Sequence, residues 1–216
     1  MNDPHAGQPV ASVGPPLGTG SGVVIMLHGW GAGAENILEL VPVLDRPQFS
    51  YLAPAAAGNT WYPYSFMSAI ERNEPYLSSA LGRIDALVSE VTARGVPKAR
   101  VVLLGFSQGA CLAGEFAGRH AARYGAVVMW SGGLIGPPGT TWNNPGGFDG
   151  TPVFLGCSDR DPHIPKERVD ESAAVLTRMG ADVTERIYPG MGHTVNDDEI
   201  AFVQTLLDGV GGGSRT

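Results

Sequence analysis

Apolar residues fall into short unbroken runs, separated by longer stretches in which they recur every three to four positions. The short runs are Val23–Leu27, Val101–Leu104, Ala126–Trp130, Pro152–Gly156 and Val183–Tyr188, with a weaker one near Ser50–Ala53. Runs of this length without alternation predict strands covered on both faces. The periodic stretches predict helices over about 34–44, 75–93, 108–122, 165–179 and 197–207. In the second of these, Ile84, Leu87, Val88 and Val91 form one apolar face, Pro75 stands at the favoured opening position, and Gly95 closes the helix. In the fourth, Val169, Ala173, Leu176 and Met179 form the face and Gly180 ends it.

Strands alternating with helices predict βαβ units with right-handed crossovers. The fold class is therefore α/β, a mostly parallel central sheet with helices on both faces. Ligand sites in such sheets lie beyond the carboxyl ends of the strands. Every chemically suggestive segment of this chain follows a predicted strand. Residues 1–22 are rich in Gly and Pro, with neither a basic start nor an apolar core; they read as a flexible leader rather than a signal peptide. Residues 210–216 read as a flexible tail, leaving 23–209 as a single domain.

Composition narrows the class. At 43% hydrophobic and 16% charged residues, the chain is an ordinary globular one. A net charge of −7 argues against nucleic acid or an anionic membrane surface as partner. No apolar run approaches the ~18 residues that span a bilayer, so stable membrane insertion is not expected. Cys111 and Cys157 both lie in apolar segments and read as buried free thiols, and no Cys/His spacing resembles a zinc site. A cytoplasmic location and no cofactor are expected. A homodimer is compatible with the sequence, which does not set the oligomeric state.

The chemistry begins at Gly105-Phe-Ser-Gln-Gly109, which follows the strand 101–104 and opens the helix beyond it. This is G-x-S-x-G in its strand–turn–helix setting, the nucleophile elbow of α/β-hydrolases. A strained turn lifts the Ser107 hydroxyl out of the sheet, and residues without a Cβ relieve the crowding around it. With 31 glycines in the chain, the pentapeptide alone is weak evidence. The rest of a triad has to decide.

The order Ser…Asp…His is met downstream. Asp161 follows the strand ending near Gly156, and His193 lies in a glycine-rich loop after the strand ending at Tyr188. Asp161 is preferred to Asp159 because Pro162 begins the turn toward the next helix, which leaves Asp159 to shape the loop. His28 ends the first strand and is expected to prop the loop after it. His163, beside the acid loop, is expected to line the site. The oxyanion hole needs two N–H donors. The Gln108 amide supplies one, and the loop His28-Gly-Trp-Gly-Ala-Gly33 the other, with Trp30 ahead of Gly31. Trp61, Tyr62, Phe66 and Met67 either form an apolar substrate pocket or pack loops onto the domain. The loop Gly132–Gly150 either closes over the site or is plain surface.

Leu27-His-Gly-Trp-Gly, Gly105-Phe-Ser-Gln-Gly-Ala, Ser131-Gly-Gly, Gly156-Cys-Ser-Asp-Arg-Asp-Pro-His-Ile-Pro and Gly192-His together resemble the phospholipase/carboxylesterase family of α/β-hydrolases, which includes the acyl-protein thioesterases. The resemblance runs from about residue 23 to 207. It implies a single α/β-hydrolase domain with a small lid or none, no cofactor, and ester hydrolysis. It also implies Ser107, Asp161 and His193 as triad, with the Trp30 and Gln108 amides as the oxyanion hole. The segment from Trp61 to Ser79 departs from the thioesterase pattern and looks more like the bacterial carboxylesterase branch. The expected substrate is a small-molecule ester with a short to medium acyl chain, cleaved through an acyl-enzyme. The alternatives are a thioesterase or lysophospholipase using the same machinery, a non-catalytic receptor on this fold, and a cysteine-nucleophile lactone hydrolase, which Ser107 in the elbow disfavours.

Overall fold

A computed structural model describes residues 3–142 and 146–211. Seven strands form one sheet in the order β1-β3-β2-β4-β5-β6-β7. They are β1 (Val10–Val13), β2 (Gly22–Leu27), β3 (Phe49–Pro54), β4 (Val101–Phe106), β5 (Ala126–Trp130), β6 (Pro152–Ser158) and β7 (Asp182–Tyr188). β1 is antiparallel to β3, and the other six strands run parallel to one another. Six α-helices accompany them: α1 (Ala34–Leu38), α2 (Val41–Leu44), α3 (Tyr76–Ala93), α4 (Gln108–Arg119), α5 (Lys166–Arg178) and α6 (Asp197–Gly211).

The two faces of the sheet bury separate sets of side chains. Val23, Ile25 and Leu27 of β2 and Val101 and Leu103 of β4 face α3, α4 and α5. Val24, Met26, Val102 and Leu104 face α1, α2 and α6. Central strands covered on both sides need apolar residues at every position, which is why they read as continuous runs.

Five expectations change. The predicted helix over 34–44 is two short helices, α1 and α2. Pro42 has no N–H to close onto the Leu38 carbonyl, and its ring crowds that carbonyl, so one continuous helix cannot form. The helix predicted over 108–122 stops at Arg119, whereas α6 runs on to Gly211, where Val210 extends the buried face of Val203 and Leu207. The segment 1–22 is also more than a flexible leader. Val10–Val13 pairs with Tyr51–Pro54 at the sheet edge, the Arg83 guanidinium donates to the Gln8 carbonyl at 2.6 Å, and His5 is buried. In the predicted tail, residues 210–211 end α6, and 212–216 lie outside the described residues.

Candidate active site

The site is built at the carboxyl ends of β2, β4, β6 and β7. β4 ends at Phe106, and α4 begins at Gln108. Between them Ser107 has φ 56° and ψ −120°, a left-handed conformation that a residue with a Cβ adopts only under constraint. The constraint comes from both sides. The Ser107 amide continues the ladder to the Trp130 carbonyl at 2.9 Å, and the Ser107 carbonyl accepts the first bond of α4 from the Cys111 amide at 3.0 Å. A Cβ on Gly105 would collide with Gly109, and one on Gly109 would collide with the Leu27 carbonyl. Both elbow glycines are thus required by close backbone approach.

Ser107, His193 and Asp161 form one hydrogen-bonded array. His193 Nε2 lies 2.9 Å from Ser107 Oγ, and His193 Nδ1 lies 2.6 Å from Asp161 Oδ2. A carboxylate accepts, so Nδ1 carries the proton and Nε2 is free to accept from the serine hydroxyl. Asp161 Oδ1 accepts from the amides of His163 (2.8 Å) and Ile164 (3.0 Å). Burial alone would raise the Asp161 carboxyl. The hydrogen bond from His193 and the two amides outweigh it, and the group stays below its ordinary value. The loops carrying His193 and Asp161 are stitched together. Gly190 N donates to Asp159 Oδ1 at 2.7 Å, and Ser158 Oγ accepts from Arg160 N (3.0 Å) and Gly192 N (3.1 Å). Asp159 is therefore the loop-shaping carboxylate and Asp161 the one that reaches the imidazole.

Beside the serine, Gln108 opens α4, so its N–H has no helical acceptor. On the facing loop, the Gly31 amide is already given to the Asn59 carbonyl at 2.8 Å, which favours Trp30 as the second donor. The loop is held from behind. His28 Nε2 accepts from the Ala56 amide at 3.1 Å, so its Nδ1 carries the proton given to the Gly29 carbonyl at 2.9 Å. Burial holds His28 below the ordinary histidine value, consistent with a neutral ring. Trp61 stacks on His28 with ring centroids 4.9 Å apart and donates its indole N–H to the His28 carbonyl at 2.9 Å.

A cavity of about 460 Å³ opens over Ser107 and His193. Tyr62, Phe66 and His163 line it, and Trp30 stands at its rim, 73% exposed. Trp61 does not line it, being fully buried behind the loop, where its indole N–H finds an acceptor. Met67 does not line it either; it is half-buried against the core. Cys111 and Ile164 also line the cavity. Cys111 lies one helical turn beyond Ser107, a spacing that puts it on the same face of α4. Burial pushes the thiols of Cys111 and Cys157 up to about 12, so neither is a nucleophile at neutral pH. The described part of the loop 132–150 lines none of this cavity. It is fastened instead, with Gly136 N donating to the Phe66 carbonyl (2.8 Å) and Arg168 donating to the carbonyls of Leu134 and Gly136 (2.9 and 2.8 Å). Among the described residues no group of His, Cys, Asp and Glu could hold a metal ion, and no helix is long and apolar enough to cross a membrane.

Two contributors escape the sequence reading. The Gln108 side chain accepts from Trp61 N at 2.8 Å and donates to the Tyr62 carbonyl at 2.8 Å, tying the elbow to the pocket wall. His5 accepts from Ala57 N at 3.0 Å and donates to the Trp61 carbonyl at 3.0 Å.

The pattern characteristic of the phospholipase/carboxylesterase family matches residues 9–210. A solved phospholipase/carboxylesterase from Dyadobacter fermentans is 40% identical, superposes with a TM-score of 0.89, and pairs 93% of this chain with 96% of its own. Acyl-protein thioesterase 1 of Eremothecium gossypii is 28% identical over 209 residues, 85% of this chain and 87% of its own. The Bacillus cereus carboxylesterase is 18% identical with a TM-score of 0.76 over 95% of each chain, a likeness of fold alone.

Proposed function

The chain belongs to the phospholipase/carboxylesterase family of α/β-hydrolases, and from that premise we propose that it is a serine carboxylesterase acting on small esters of short to medium acyl chain. One observation carries this reading: the Ser107–His193–Asp161 array faces a cavity that Trp30 and Gln108 also line.

His193 Nε2 takes the Ser107 proton as Oγ attacks the ester carbon. Charge develops on the carbonyl oxygen, where the Trp30 and Gln108 amides receive it. Asp161 holds the imidazole in the required tautomer and stabilises the imidazolium. His193 then gives its proton to the departing alcohol oxygen, leaving an acyl-Ser107 ester. Water enters, His193 takes its proton, and the second tetrahedral intermediate collapses to release the acid and restore Ser107.

Tyr62, Phe66, Cys111 and Ile164 give the cavity an apolar lining suited to the acyl half of an ester. Hydrolysis of p-nitrophenyl esters from acetyl to palmitoyl by wild type and Ser107→Ala tests the reading. A short-chain optimum, with kcat in the variant lower by on the order of 10⁴-fold or more, is expected. Turnover unaffected by Ser107→Ala overturns it. The acyl-protein thioesterase relative favours a second reading, hydrolysis of thioesters with the same groups. A long-chain optimum, with thioesters cleaved faster than matched oxygen esters, would establish it.

A further inference from the structure

A second cavity of about 450 Å³ adjoins the first and shares Gly29, Ala32, Phe106 and His193 with it. Its remaining wall comes from the other face of the sheet, with Ile37 and Leu40 after β2 and Val195 after His193. Ser107 lines the first cavity and not the second, whereas His193 lines both. The Phe106 and His193 rings, 5.0 Å apart, form the threshold between them. Nothing in the hydrolytic mechanism so far uses this space.

We propose that the second cavity is an alcohol subsite, holding the uncharged, apolar alcohol half of the ester while the acyl half occupies the first. The assignment rests on the serine-esterase reading above. Its logic is stereochemical. The acyl carbon is bonded to Ser107 Oγ, so its substituent lies on the Ser107, Tyr62 and Phe66 side. The leaving oxygen must take its proton from His193 Nε2, so the group attached to that oxygen extends past the imidazole. His193 lines both cavities, so a group that passes the imidazole from the first enters the second.

The lining sets the chemical class. No Asp, Glu, Lys or Arg contributes to it. Its apolar surface comes from buried Ile37 and half-buried Leu40, Phe106 and Val195, while His28 has both ring nitrogens engaged and Thr194 and Asn36 stand exposed at the edge. Asn36, the amide side chain of the lining, already uses Oδ1 to accept from Gly33 N at 2.9 Å. A phosphate-bearing alcohol, such as the glycerophosphocholine of a lysolipid, meets no cation here. A benzyl or butyl group needs no polar partner and matches the chemistry of Ile37, Leu40, Phe106 and Val195. Microscopic reversibility adds a consequence: an alcohol held here competes with water for the acyl-enzyme. Its oxygen bonds to the acyl carbon, His193 takes its proton and passes it to Ser107 Oγ, and the acyl–Oγ bond breaks.

The test compares kcat/KM for methyl and benzyl butyrate in wild type, Leu40→Trp, Leu40→Ala and Ser107→Ala. This ratio reads acylation, the half-reaction in which the alcohol is still bound and then leaves. Wild type is expected to favour the benzyl ester about tenfold or more, the discrimination typical of apolar contacts. Leu40→Trp should abolish most of that preference while leaving methyl butyrate and the acyl-length order unchanged. If Leu40→Trp fails to fold, Leu40→Ala still decides, because it should shift the preference toward a bulkier naphthylmethyl ester. Added benzyl alcohol should divert more acyl-enzyme to benzyl butyrate than equimolar methanol diverts to methyl butyrate, and Leu40→Trp should remove the difference. The subsite is overturned if both Leu40 variants leave the alcohol preference unmoved or alter the acyl-length order instead. In that case loss of activity in Ser107→Ala keeps the esterase reading intact. Activity surviving in Ser107→Ala removes both.

Discussion

Trp61 N donates to Gln108 Oε1 at 2.8 Å, across 47 residues of sequence. This bond connects the residue after Ser107, the proposed nucleophile, with the residue whose indole backs the loop from His28 to Gly33. Through the Tyr62 carbonyl, the same side chain also grips the pocket wall. Gln108→Leu keeps the backbone amide at 108 but leaves the buried Trp61 N–H unpaired and the Tyr62 carbonyl with the Thr60 hydroxyl alone. A loss of about 1–3 kcal/mol is expected, with a fall in kcat because the oxyanion donors lose their common anchor. Thermal unfolding and ester kinetics measure the two effects. An unchanged kcat in a variant with lowered Tm would reduce Gln108 to a purely structural tie.

Asp161→Asn tests the tautomer argument. Asparagine can present its N–H to His193 Nδ1, which then accepts and leaves the proton on Nε2, where it blocks acceptance from Ser107. A fall in kcat on the order of 10⁴ is expected by analogy with other triads. The stability effect follows from sign. The Asp161 carboxyl is depressed in the folded protein, so its contribution is present above the ordinary value of 3.8 and disappears as pH falls through the folded value. Wild type should therefore lose this increment of stability in acid, and Asp161→Asn should not. Unfolding scans between pH 5 and pH 2 compare them.

Glu199 should produce the opposite pH trend. It is fully buried, with Oε2 accepting from Asn196 N at 2.9 Å and, among the described residues, no partner for Oε1. Burial pushes the carboxyl up to about 7, with the Asn196 amide opposing and Asp198 assisting. The folded state then holds the proton more tightly than the unfolded chain. That stability is complete below the ordinary value of 4.5 and is lost as pH rises through about 7. At full ionisation the loss is on the order of 2–3 kcal/mol. Glu199→Gln is neutral throughout, so it should melt several degrees above wild type at pH 8 and near it at pH 5. Parallel Tm-versus-pH curves for the two proteins would contradict this.

Gly109→Ala probes the elbow without touching a side chain of the array. The added methyl would collide with the Leu27 and His28 carbonyls, backbone atoms with no room to swing away. Destabilisation of about 1–3 kcal/mol is expected, together with a large loss of activity as α4 is pushed from β2. An alanine variant with wild-type Tm would mean that the contact between Gly109 and the end of β2 yields easily.

The parts of the fold legible in the sequence are those where local pattern and burial agree. β2, β4 and β5 are covered on both faces, and their residues are apolar without interruption. β1 escaped because four residues at an edge, half-buried or exposed and containing Ser12, carry no such pattern. Pro42 was visible, yet its consequence depends on whether the helix needs a bond at that point. Ser107, Asp161 and His193 were legible because each follows a strand end. Trp61 was not, since an aromatic side chain beside a site serves equally as lining or as backing. The choice turned on a hydrogen bond to His28, 33 residues away. His5 depended on a similarly remote partner.

The two buried thiols flank the catalytic array, Cys111 at the base of the first cavity, walled in by its packed neighbours, and Cys157 with Sγ 3.8 Å from Asp161 Oδ2. Both are shut off from solvent and protonated. A thiol-directed dye therefore reaches either one only when the wall in front of it opens. The chain thus carries two built-in clocks, whose labelling rates would time the breathing of the elbow and of the acid loop separately, without any engineered probe.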